Sequence, residues 1–177
     1  EAVYAYQLAE FLTNYGAPVR PLDDSDGQTT EPVNENPSRW NRKRAADICR
    51  DLVKRFPKEL AGKQAAQLLN RLLLPTYSIQ VEKVNAPQQP FRALVSYQNV
   101  TKVLYRIIRL SAAELQTSRD TYFNDDQKKK QFSTWLKRPV VVENSVVLPN
   151  DGDLNLHSVE MPLGGLPTGH YLLLATT

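Results

Sequence analysis

The chain has 177 residues, 41% hydrophobic and 23% charged, which supplies enough apolar content for one large core or two small ones. A formal net charge of +3 is too small to point to nucleic acid without clustering, and no nucleic-acid motif is present. The single cysteine, Cys49, excludes an internal disulfide, and no apolar run approaches the ~18 residues of a membrane span.

Residue 1 is Glu rather than Met, and the chain opens inside a helical pattern, so it reads as a piece of something longer. Ala5, Leu8, Ala9 and Leu12 keep helical spacing, and Gly16 with Pro18 stops that segment. Residues 21–36 are rich in Asp, Asn, Gly, Thr and Glu and read as a loop. Asn36-Pro37 suits a cap and first-turn pair. The next helix is expected to bury Ala45, Ile48, Cys49, Leu52 and Phe56 and to end at Pro57. A third carries Leu60, Ala61, Leu68, Leu69, Leu72 and Leu73 and stops before Pro75. Ala-rich helices broken by Phe56-Pro57 resemble tetratricopeptide-type hairpins, although no repeat is demonstrable.

After Pro75 the apolar period changes to two. Tyr77, Ile79 and Val81 alternate with Ser78, Gln80 and Glu82, as a half-buried strand should. Residues 85–90 form a turn. Phe91–Tyr97 and Val103–Leu110 are β-rich and close in sequence, which suits a hairpin across Gln98-Asn99. Residues 112–138 are polar and helix-compatible, and strands resume at 140–148, 154–161 and 171–175. That makes six strands with a helical insertion between the third and fourth. Leu166-Pro-Thr-Gly-His-Tyr171, ahead of an apolar run, has the form of a tyrosine corner, in which a Tyr at the start of a late strand bonds back to the preceding turn. Leu166, Gly169 and Tyr171 are its structural residues, and the motif points to an immunoglobulin-like or fibronectin-like sandwich.

Few constellations could carry chemistry. His157 and His170 lack a second histidine or a cysteine at ligand spacing and read as surface or interstrand residues. Asp151-Gly-Asp153-Leu-Asn155 lacks the later Gly and the bidentate Glu of a calcium loop and reads as a polar turn. Asp23, Asp24 and Asp26 read as solvated acids. Cys49 lies on an apolar helix face and reads as a core residue. No Ser-His-Asp set and no phosphate-cradling Gly loop is present, so the chain is expected to be non-catalytic, with no cofactor and no bound metal. Arg39, Arg42, Lys43 and Arg44 head a helix, where cations sit poorly against the macrodipole, and so mark a candidate partner surface. Lys128, Lys129 and Lys130 follow Asp125 and Asp126, which can neutralise them locally. Phe132 and Trp135 are expected to pin the insertion; Trp135 is also a candidate partner contact.

Three stretches resemble the macroglobulin-like domains of bacterial α2-macroglobulin family proteins: residues 77–84 with the Pro-rich turn that follows, residues 91–100 running into 104–110, and residues 157–175. The resemblance spans about residues 76–177. The helical half is similar to the segment preceding the first such domain in those proteins. Full-length members of the family are extracytoplasmic inhibitors that trap endopeptidases, some through a thioester built on Cys-x-Glu-Gln. Here Cys49 is followed by Arg50-Asp51, so the resemblance carries over no functional residue. It implies a scaffold module of an envelope protein, with the neighbouring domains of its parent as partners and target proteases engaged only through the full-length chain. No nucleic acid and no membrane insertion are expected.

The expectation is therefore an α+β chain. A helical segment over 1–75 precedes an antiparallel sandwich over 76–177, which lacks the last of the about seven strands usual for such a fold. Its open edge would favour self-association. The alternative is a free-standing adaptor with peptide-binding helices and a protein- or glycan-binding sandwich.

Overall fold

A computed structural model describes residues 1–15, 37–120 and 124–177. The stop at Gly16 and Pro18, the loop over 21–36, the Asn36 cap and the acids Asp23, Asp24 and Asp26 lie outside the described residues.

Helix α1 (Ala2–Tyr15) buries Ala2, Ala9 and Thr13, with Ala5, Tyr6 and Leu12 half-buried. The buried Thr13 hydroxyl donates to Ala9 O at 2.8 Å. Leu8, expected on this face, is 51% exposed. The buried face runs from Leu12 and Ala5 through Ala9 to Thr13 and Tyr6, and Leu8 falls just outside its edge. A 3₁₀ turn (Pro37–Trp40) leads into α2 (Asn41–Arg55), which buries Ala45, Ala46, Cys49 and Leu52 and packs against both α1 and α3. The Phe56 N–H donates to Leu52 O at 2.8 Å, closing the end of α2. Helix α3 begins at Leu60, beyond Pro57, and runs to Leu73. Its core face is Ala61, Ala65, Leu68 and Leu72; Leu60 is exposed. A Cβ on Gly62 would lie 1.9 Å from Phe56 O, so this close approach of turn and helix requires glycine.

No described residue before Thr76 lies in a strand. The strands are β1 (Thr76–Val81), β2 (Phe91–Gln98), β3 (Lys102–Leu110), β4 (Val140–Val147), β5 (His157–Leu163) and β6 (His170–Thr176). Two helices, α4 (Ala112–Asp120) and α5 (Asp125–Leu136), fill the insertion between β3 and β4. The strands form two three-stranded antiparallel sheets, in the orders β1-β2-β5 and β4-β3-β6. In the second sheet Ile107 pairs with Val142 on one side and Leu173 on the other, and the β3–β4 register shifts between Ile107 and Ile108.

Two sequence expectations are corrected. The fifth strand begins at His157 rather than Leu154, because residues 149–156 are held as a loop by side-chain bonds described below. Strands β2 and β3 are not a hairpin; they belong to different sheets. A two-residue hairpin turn of type I′ needs positive φ at both central residues. Only Asn99 has it here, at 56°. The Asn99 side chain donates to Leu72 O at 2.7 Å, and Val100 is buried, so the link is anchored instead of folding back on itself.

The chain divides into two compact units. One comprises Glu1–Ser78, Val95–Val100 and Pro149–Val159; the other comprises Ile79–Leu94, Thr101–Leu148 and Glu160–Thr177. The helical core lies in the first, with Leu154 packed against it. In the second, β3 contributes Val103, Tyr105, Ile107, Ile108 and Leu110 as buried residues, and β5 contributes Met161 and Leu163.

Candidate functional site

The first unit holds a polar cluster that sequence spacing did not reveal. Asp153 is 2% exposed, and both of its carboxylate oxygens are occupied. Oδ2 accepts from Arg39 Nε at 3.1 Å; Oδ1 accepts from Asn155 N at 2.9 Å and lies 2.8 Å from His157 Nε2. A carboxylate only accepts, so Nε2 of His157 carries the shared proton. Burial alone would raise the Asp153 carboxyl, but the bonds from Asn155, His157 and Arg39 outweigh it and hold the group down at about 2. Arg39 also pairs with Asp151, and its backbone carbonyl accepts from Asn155 Nδ2 at 2.8 Å.

These bonds fix an unusual backbone. Leu154 has φ of 63°, a left-handed conformation that costs a leucine roughly 1–2 kcal/mol. Its carbonyl accepts from Arg42 at 3.3 Å, and its side chain packs on the helical core. Burial, then repulsion from Arg71, pushes the Arg42 guanidinium down, while Asp153 pulls it up. Beside the cluster Tyr97 donates to Pro149 O at 2.7 Å, and its ring centroid lies 5.7 Å from that of His157. The arrangement clamps the 149–157 loop to Arg39 and Arg42.

A histidine held by a carboxylate resembles the base half of a nucleophile-base pair. No hydroxyl or thiol is bonded to His157 among the described residues. The Ser96 and Ser158 hydroxyls bond each other at 2.9 Å. Burial pushes the Cys49 thiol up to about 11, far from a thiolate at neutral pH. Among the described residues no group of His, Cys, Asp and Glu could hold a metal ion, and no helix is long and apolar enough to cross a membrane.

The second unit holds an apolar cleft of about 810 Å³, lined by Ile79, Val81, Phe91, Ile107 and Leu173, with the 166–171 turn at its margin. That turn is held by its own carbonyls. Leu166 O accepts from Gln88 N at 2.7 Å, Pro167 O from the Tyr171 hydroxyl at 3.0 Å, and Thr168 O from Arg109 at 3.1 Å. A Cβ on Gly169 would come within 3.1 Å of Arg109 Nε, so the guanidinium lies across the glycine. Tyr171 and Leu166 are half-buried.

No protein-family model, no curated protein and no solved structure matches this chain.

The candidate partner residues are dispersed in role. Arg39 and Arg42 are engaged by the 149–157 loop, and Lys43 lies 5.1 Å above the Trp40 ring. Lys43 and Arg44 are exposed. Trp135 is half-buried on α5, a helix with no buried residue, and Phe132 is 46% exposed. Lys128 pairs with Asp125 at 3.6 Å. Nothing local announced the Arg39–Asp153 contact, because 114 residues separate the partners. The weak signal was cations placed against the helix dipole, which implies an acid nearby.

Proposed function

We propose that this chain is a non-catalytic structural and binding module of a larger macroglobulin-like envelope protein. The observation that carries the reading is the sheet order together with the Tyr171 turn. Lettered in chain order as A, B, C, C′, E and F, the sheets are A-B-E and C′-C-F, the partition of an immunoglobulin-like or fibronectin-like sandwich. Tyr171 then stands at the E–F corner, where such folds place their tyrosine, and its hydroxyl bonds back to Pro167 O. Strand G, which lies beside F, has no counterpart among the described residues.

In this reading the module works outside the cytoplasm, and its partners are neighbouring domains of the parent. Endopeptidases are engaged only through the full-length protein. The test is the coding sequence that flanks these residues. Recurrent Leu-Pro-x-Gly-x-Tyr turns downstream, with or without a distant Cys-x-Glu-Gln, are expected. A stop immediately after Thr177 with no further sandwich would overturn the reading in favour of an adaptor. The apolar cleft favours that second reading, since it could itself receive a ligand. The non-catalytic assignment has its own test. Turnover of a peptidase or glycosidase substrate that one substitution in this chain abolishes would defeat it.

A further inference from the structure

Beside the Asp153 cluster two side-chain atoms are buried and make no hydrogen bond: Arg42 Nε, a donor, and Asn155 Oδ1, an acceptor. Both side chains are held through their other atoms. Arg42 donates to Leu154 O at 3.3 Å, and Asn155, 5% exposed, donates through Nδ2 to Arg39 O at 2.8 Å. Leu154 adjoins Asn155, and Arg39 lies three residues before Arg42. Both atoms therefore belong to the corner where the 149–157 loop meets the start of α2, within the first compact unit. We infer that this corner binds one internal water, which accepts from Arg42 Nε and donates to Asn155 Oδ1.

The side chains have little freedom to pair these atoms in another way. The bond to Leu154 O holds the plane of the Arg42 guanidinium, and so the direction of its Nε–H. Turning the Asn155 amide over would set oxygen against Arg39 O, acceptor on acceptor, and lose the bond made there. A buried polar group left unpaired is costly, and ordered water is the usual remedy.

The unlike character of the two atoms selects the occupant. An anion would suit Arg42 but meet the Asn155 oxygen. A cation would suit Asn155 but meet the Arg42 guanidinium, which Arg71 already repels. Water offers a lone pair to one and a hydrogen to the other, and it is the smallest molecule that does both. It joins α2 to the loop alongside the Arg39–Asp153 pair, so the clamp closes through held solvent as well as through direct bonds.

A crystal structure of the 177-residue chain that resolves solvent is the direct test. The expected result is one water about 2.7–3.2 Å from both Arg42 Nε and Asn155 Oδ1. In solution, oxygen-17 relaxation dispersion counts the waters that stay inside a protein longer than it takes to tumble. Asn155→Leu keeps the side-chain shape and removes the acceptor, and it should lower that count by one. Asn150→Ala, at an exposed position of the same loop, should leave it unchanged. A direct Arg42–Asn155 hydrogen bond, an ion in that place, or no density there overturns the proposal. So does a count that is equal in the parent and Asn155→Leu, or that falls equally in Asn150→Ala. If Asn155→Leu does not fold, the crystal structure of the parent decides alone.

Discussion

At the residue scale, Asp153 is where charge and conformation meet. Its carboxylate satisfies Arg39, the Asn155 N–H and His157, and so holds Leu154 in the left-handed region with its side chain on the helical core. The folded carboxyl sits at about 2, below its ordinary value of 3.8. A depressed carboxyl stabilises the fold fully above the unfolded value, and that stability is lost as pH falls through the folded one. The window is therefore pH 4 down to pH 2, and the amount is on the order of 2 kcal/mol. Asp153→Asn should lower stability at pH 7 and flatten the acid limb of a denaturation curve measured across that window. An unchanged acid limb would remove Asp153 from the explanation. Tyr171→Phe is a milder test of the turn. The phenol gives one hydrogen bond from a half-buried position, so the expected loss is about 0.5–1.5 kcal/mol in a urea titration. An unshifted midpoint would count against the corner.

At the element scale, what the sequence revealed was what repeats locally. The helix carrying Ala45, Cys49 and Leu52 and the strand carrying Tyr77, Ile79 and Val81 are legible because a helix or strand is written within a dozen residues, but the half-buried face expected of that strand is corrected: Tyr77 and Val81 are exposed and only Ile79 is half-buried. Which strand pairs with which is not written there. Strand β3 lies between β4 and β6, so Arg106 meets Glu143 and Leu174, and neighbours in sequence gave the wrong partner for β2. The Arg39–Asp153 clamp was hidden for the same reason. The insertion shows the reverse case, a local signal left unread. Asn124 Oδ1 accepts from Gln127 N at 2.9 Å, and Gln127 Oε1 accepts from Asn124 N at 3.0 Å, a capping box four residues long. Since α5 has no buried residue, this cap is a large share of what holds its first turn. Asn124→Ala should cost α5 about 1 kcal/mol and raise amide exchange through residues 125–128, with little change in the strands. Gly62→Ala should do more harm. Its Cβ would collide with the Phe56 carbonyl, so either turn or helix must shift, at about 1–3 kcal/mol or above. Equal melting of parent and variant would show that the turn yields freely.

At the scale of the whole molecule, the helical half keeps a dense alanine-lined core, while the second unit leaves an apolar cleft of about 810 Å³ open to solvent. That volume falls within the roughly 300–1,000 Å³ of small-ligand sites, and its walls come from both sheets. Ile79 and Val81 belong to β1, at the end of one sheet, and Leu173 to β6, at the end of the other. Glu82, Lys83, Asn85 and His170 share the lining with these apolar side chains, and a group that covers the apolar part should gain from burying it. The native protein should therefore bind an apolar fluorescent probe of the anilinonaphthalene type, saturably and at one site. Val81 is 37% exposed at the end of its strand, so a charge there reaches solvent and leaves the buried cores untouched. Val81→Glu should then cut probe fluorescence several-fold with its unfolding midpoint held. Val147→Glu is the control, since Val147 is 77% exposed and does not line the cleft. Probe binding that ignores Val81→Glu, or falls equally in Val147→Glu, would mean that the cleft does not receive apolar groups and that the binding half of the proposed function has to be sought on another surface.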